Sequence, residues 1–120
     1  MTYVDGFVIP VPKKNKAAYS RMAREGREIW LEHGATGYLE AIGDDTPWGK
    51  RTSFPRSVKL KKSETVWFSF ILYKSRKHRD AVMKKVMADK RMAKYMTGKV
   101  KMPFDPKRMI VGGFKAVVEG

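Results

Sequence analysis

The stretch Thr65-Val-Trp-Phe-Ser-Phe-Ile-Leu-Tyr73 decides the fold. Large apolar side chains stand at both parities, so as a strand it needs cover on both faces. A helix signal follows at once. Ser75 is placed as an N-cap, and the pattern beyond it predicts a helix to about Ala88. Val82, Met83, Val86 and Met87 form its inner side, with Lys77, Lys84 and Lys85 opposite. Lys90 to Met96 reads as a further helical turn or two, and Gly98 to Pro106 as loop. Met109-Ile-Val-Gly-Gly-Phe-Lys-Ala-Val-Val118 reads as a closing strand. Its Gly112-Gly113 lacks dinucleotide or Walker spacing and marks a bulge or close packing.

The N-terminal half has the same plan. Tyr3 to Val11 alternates, with Tyr3, Phe7, Ile9 and Val11 on one face and Asp5 among them. Asn15 is the expected cap of a helix to about His33, with Tyr19, Met22, Ala23, Gly26 and Trp30 as its buried stripe. Gly34 is its expected stop. Thr36 to Ile42 forms a second strand, with Tyr38, Glu40 and Ile42 on one face. A long loop follows, in which Ser57-Val-Lys-Leu-Lys61 alternates as a short strand would.

The order β-α-β-loop-β-α-β predicts one α+β domain over residues 1–120: a ferredoxin-like antiparallel sheet with two helices on one face. The other sheet face is then left open and apolar, beyond the few hundred Å² usual for a monomer. A second copy, sheet against sheet, is the simplest cover, so a homodimer is expected.

Composition bounds the function. The chain has no cysteine, which removes disulfides, thiolate metal sites and cysteine nucleophiles. No apolar run approaches the roughly 20 residues of a membrane helix. Met1-Thr-Tyr-Val-Asp-Gly leads straight into a strand without a basic leader region, so a cytoplasmic location with no membrane partner is expected. The net charge of +14 lies wholly after Gly49, because residues 1–49 carry seven acids against six bases. Lys50, Arg51, Arg56, Lys59, Lys61 and Lys62 form a run without an acid. Such a field attracts nucleic acid or another polyanion, or serves solubility alone. With Lys77, Lys84 and Lys85 these bases, Arg56 aside, are the candidate polyanion contacts.

Gly43-Asp-Asp-Thr-Pro-Trp-Gly-Lys-Arg-Thr-Ser-Phe-Pro55 is richer in chemistry than a connection needs. Asp44 and Asp45 read as a proton-transfer or hard-cation pair, or as turn formers paired with Lys50, Arg51 or Arg56, within or between subunits. No further oxygen ligands stand near them, so no metal is assigned. His33 beside Trp30 reads as a general base against an apolar wall, or as a cation at a helix C-terminus. Asp5 on an apolar face needs a partner, for which Arg108 or Arg56 is available; otherwise it faces a ligand. Ser69 interrupts the apolar strand and joins the candidate ligand set. Phe68-Ser-Phe-Ile-Leu-Tyr73 approaches an RNA-recognition signature, but Val66-Trp67 replaces its basic residue and glycine.

Tyr3-Val-Asp-Gly-Phe-Val-Ile-Pro-Val-Pro-Lys-Lys-Asn15, the Gly43–Pro55 loop, Glu64-Thr-Val-Trp-Phe-Ser69, Arg79-Asp80 and Met102-Pro-Phe-Asp-Pro-Lys-Arg-Met-Ile-Val-Gly-Gly-Phe114 together resemble the DUF1428 family. Pro106 and Phe70 depart from that pattern, at positions where Gly and Trp are expected. The family is similar to the dimeric α/β-barrel superfamily. The resemblance therefore implies a homodimer with joined sheets, and it supplies no reaction and no cofactor. Three functions stay open at this point: a small-molecule pocket between sheet and helices with cofactor-free chemistry, a basic module for RNA, DNA or another polyanion, and a structural or interaction role.

Overall fold

A computed structural model describes residues 1–120. The alternating stretches become four strands: β1 (Tyr3–Pro12), β2 (Gly37–Ile42), β3 (Glu64–Tyr73) and β4 (Ile110–Lys115). The helices are α1 (Lys16–Glu32), α2 (Phe54–Ser57), α3 (Arg76–Ala88) and α4 (Lys90–Met96). The result is a mixed α+β fold on one four-stranded sheet of order β2-β3-β1-β4, with every neighbouring pair antiparallel.

The caps explain most boundaries. The Ser75 side chain accepts from the His78 amide and starts α3, and Asp89 accepts from the Arg91 amide and starts α4. Gly34, at φ +112°, turns the chain out of α1 in a conformation that costs glycine little. Three expectations need correction. Asn15 stands at the N-cap position of α1 but its side chain makes no capping bond: a 3-10 turn over Lys13–Asn15 precedes the helix, and Asn15 Nδ2 donates to the Pro103 carbonyl at 2.9 Å. Ser57–Lys61 is not a strand. Ser53 caps the Arg56 amide, and a proline in the first turn starts the short helix α2 instead. The last strand ends at Lys115 rather than Val118.

Register gives the sheet two different faces. Ile42, Trp67 and Ile9 stand in one row; Glu40, Ser69, Phe7 and Val111 in the next; Tyr38, Ile71, Asp5 and Gly113 in the third. These rows face α1 and α3. The apolar packing there splits into two clusters. Tyr3, Ile29, Ile71, Tyr73, Val82 and Val86 belong to one; Ile9, Val11, Tyr19, Trp67 and Phe104 belong to the other. Half-buried Phe7 touches both, so the row of Glu40, Ser69 and Phe7 runs between them.

The opposite face holds Val4, Gly6 and Val8 of β1, Gly37, Leu39 and Ala41 of β2, Phe68, Phe70 and Leu72 of β3, and Ile110, Gly112 and Phe114 of β4. None of these side chains is polar. Phe114 is 61% exposed and Phe68 43%. The Gly43–Pro55 loop folds back over one end of this face. The Gly43 amide donates to Val66 O at 2.7 Å, and the Phe54 ring meets Phe68 edge-on at 5.8 Å.

Candidate functional site

Between the two core clusters lies a cavity of about 660 Å³, within the range of small-molecule sites. The sheet supplies its floor, α1 and α3 its walls, and α4 and the segment before β4 its far side. Met22, Met83, Met87, Met92, Met102 and Met109 all line it, so six of the chain's eight methionines gather here. Phe7, Trp30, Tyr38, Tyr95 and Phe104 add aromatic surface. Unbranched thioethers adapt to irregular guests more readily than branched aliphatic chains do.

Polar groups are few and placed. The Glu40 carboxylate takes one tyrosine on each oxygen: Tyr19 donates to Oε1 at 2.8 Å and Tyr38 to Oε2 at 3.1 Å. Burial pushes the Glu40 carboxyl above the usual carboxylate range, against the two hydrogen bonds that favour its charge. Burial first, and Glu40 second, push both tyrosyl hydroxyls well above their ordinary value. On the next row, the Arg79 guanidinium of α3 donates to Asp5 Oδ1 at 2.6 Å and to Asp80 Oδ1 at 2.7 Å, and lies 5.0 Å from the Tyr3 ring centroid. Trp30 donates to the Tyr73 hydroxyl at 3.2 Å. A second hollow, of about 350 Å³, lies on the α1–β2 side and shares Ala23, Tyr38 and Glu40 with the cavity; the exposed Arg24 and Arg27 line it.

Of the residues singled out from sequence, Asp5, Trp30 and Ser69 line the cavity. His33, Asp44, Asp45, Arg56 and Arg108 do not. Asp5 is paired by Arg79, in place of the expected Arg108 or Arg56. Arg108 instead forks onto Glu64 and donates to the Val58 and Lys59 carbonyls, tying α2 to the start of β4. His33 Nε2 meets Asp89 Oδ2 at 2.8 Å, and Arg91 bridges Asp89 to Glu32, so His33 belongs to a clamp between α1 and the α3–α4 joint. Arg91 first, then His33, holds the Asp89 carboxyl far below the usual range.

Asp44 and Asp45 are exposed and have no ion-pair partner within the chain. Arg56 serves the loop's own backbone, donating to Trp48 O at 2.8 Å and Gly49 O at 2.9 Å, with its guanidinium 5.7 Å from the Trp48 ring. No three His, Asp and Glu side chains converge as metal ligands would. The sequence reading missed Glu40, Tyr19 and Arg79 as cavity residues. Glu40 carried a weak signal, since alternation put a carboxylate between Tyr38 and Ile42 on one strand face.

Lys50, Arg51, Lys59, Lys61, Lys62, Lys77, Lys84 and Lys85 are all exposed, and none joins an ion pair. Only Arg79, Arg91, Lys94 and Arg108 of the 26 Lys and Arg residues do so. No helix is long and apolar enough to cross a membrane.

Comparison with known proteins agrees with the motifs. The uncharacterized protein YbaA of Escherichia coli (strain K12) is 44% identical over 119 residues, covering 99% of both chains, and that of Shigella flexneri matches to the same degree. Among solved structures, the de novo designed protein Foldit4 superposes with a TM-score of 0.47 at 10% identity, covering 97% of this chain and 99% of that one, a likeness too low to bear on the fold. The model of DUF1428, described as a protein of unknown function, matches residues 2–106, and the chain belongs to that family.

Proposed function

We propose that this protein is a homodimeric ferredoxin-like α/β barrel whose cavity between sheet and helices takes a small apolar molecule. The observation that carries the reading is the Met-lined cavity itself, with its carboxylates and its serine confined to two rows of the sheet. Strand order β2-β3-β1-β4, with a helix in each crossover, supports the ferredoxin-like assignment. Lack of cysteine supports a cytoplasmic setting.

The open face supports the dimer. It bears nine apolar side chains and three glycines on a chain of net charge +14. Two copies of so basic a protein approach most cheaply through a patch that carries no charge. Gly6 and Gly112 make room there for the Phe114 ring, and Gly37 for the Leu72 side chain. Native mass spectrometry tests both parts together. The expected result is a species of twice 13.8 kDa that carries a bound molecule, lost in a Ser69→Trp variant that remains a dimer. A wild type that binds neither a co-purified molecule nor a neutral apolar dye would overturn the cavity reading.

A second reading rests on the unpaired bases: a polyanion-binding surface around Lys50, Arg51, Lys59, Lys61 and Lys62, with Lys77, Lys84 and Lys85. Under it, affinity for RNA or DNA falls linearly with log salt. Replacing Lys59, Lys61 and Lys62 by Gln then lowers the slope by roughly two to three. No binding at about 50 mM salt leaves these lysines as solvated surface.

A further inference from the structure

The polar groups on the cavity floor narrow the class of guest, given the reading of the cavity as a ligand site. Two carboxylates face the cavity, and they differ. Asp5 has its cation in Arg79. Glu40 has none; only tyrosyl hydroxyls reach it, one on each oxygen. A carboxylate oxygen has room for two donors, so each Glu40 oxygen can accept one more.

Ser69 stands directly across from Glu40 in the β2–β3 register, which places the two Cβ atoms about 4.5–5.5 Å apart. Ser69 is 4% exposed and lines the same cavity. The hydrogen bonds of the cavity floor run from Tyr19, Tyr38 and Arg79 and leave out its hydroxyl, which both donates and accepts. The floor therefore presents an acceptor and a donor side by side, set in thioether and aromatic surface.

Four simple ligand groups can be compared against that pair. A carboxylate is repelled by Glu40. An ammonium group donates to both, but it brings a third N–H and a full charge to desolvate among thioethers and aromatic rings. A ketone accepts from Ser69 and leaves Glu40 unserved. A hydroxyl serves both, donating to Glu40 and accepting from Ser69. The geometry points to a neutral hydroxylated ring compound, of the phenol or cyclic alcohol class, with its hydroxyl between Glu40 and Ser69 and its ring against Phe7 and the methionines.

Equilibrium dialysis of the intact protein with 1-naphthol, naphthalene and 1-naphthoate tests this. Naphthol is expected to bind about tenfold tighter than naphthalene, the gain of one hydrogen bond to a charged acceptor. That preference should shrink to about threefold or less in Glu40→Gln and in Ser69→Ala, while naphthalene affinity stays within about twofold. Equal binding of naphthol and naphthalene to the wild type would sink the hydroxyl inference and leave the cavity reading standing. If none of the three binds, the cavity reading itself falls. If naphthoate binds tightest, the inference is overturned in favour of an anion site at Arg24 and Arg27.

Discussion

The two faces of this sheet are made from the same four strands and differ only in parity, yet they are built to different specifications. The helix-side face sets Asp5, Glu40 and Ser69 into an apolar wall, one polar group at a time. The opposite face holds twelve central positions with no polar side chain, and Glu64 enters only at the end of β3. A surface with a few placed polar groups discriminates among small molecules, because each buried donor or acceptor left unmatched costs about 1–3 kcal/mol. A uniform apolar surface has no such selectivity and gains only by area. On the function proposed above, one sheet separates recognition from adhesion by alternation alone.

That contrast breaks most visibly on the adhesive side. Phe70→Glu puts a charge at the centre of the open face, beside Leu39 and Gly6 in the register. It should convert the proposed dimer to a 13.8 kDa monomer at micromolar concentration, as read by light scattering. A wild type that is already monomeric there removes the adhesive role.

The next largest effect lies on the recognition side. Arg79→Met leaves the Asp5 carboxylate, 7% exposed, without its cation. Breaking such a pair is expected to cost about 3 kcal/mol, the low end for a buried partner, because Arg79 itself keeps 21% exposure. Urea unfolding measures it, and a loss under about 1 kcal/mol would show that the pair behaves as a surface one.

A smaller and sharper test concerns α1. A Cβ at Gly26 would come within 2.8 Å of the Tyr38 hydroxyl, but no closer than 3.6 Å to the ring carbon that bears it. Gly26→Ala is therefore expected to lose about 1–2 kcal/mol to crowding, after the helix gain of alanine is counted. In a Tyr38→Phe background the same change should stabilise by up to about 1 kcal/mol. The reversal of sign is the diagnostic, and its absence would mean that the helix simply moves away.

The smallest effects are pH-dependent and opposite in sign. Arg108 lowers the Glu64 carboxyl below its ordinary 4.5, helped by the Lys61 amide. Its contribution to stability is full above that value and is lost as pH falls through the lower, folded one. Glu40 is raised by burial, so ionising it in the folded state carries a penalty that develops as pH climbs from about 4.5 to its folded value. Relative to wild type, Glu40→Gln should gain stability with rising pH and Glu64→Gln should lose it. Urea midpoints between about pH 3 and 8 report both trends.

Much of the fold is legible in the chain, because alternation, stripes and caps are local. β3, the stripe of α1, Ser75 and Gly34 each announce themselves within a few residues. The failures have local causes too. Ser57–Lys61 alternates like a strand, but the stronger signal was Ser53 followed by Phe54-Pro55, a cap with proline in the first turn. Asn15 is a good cap by type and was claimed by Pro103, 88 residues on. The site was less legible because its pairs are distant in sequence. Alternation shows that Asp5 is on a buried face, but nothing near it distinguishes Arg79, 74 residues away, from Arg56 or Arg108. Glu40 becomes a site residue only when Tyr19 reaches it from another element.

With no cysteine in the chain, its reactive sulfur is all thioether, and six of the eight methionines stand around one cavity. Oxidation of such a wall replaces soft apolar surface with polar, chiral sulfoxides. Met87, at 41% exposure, is the one an oxidant meets most easily. If the cavity holds the proposed guest, its occupancy is tied to the redox state of its surroundings, and only a sulfoxide reductase would restore an oxidised wall.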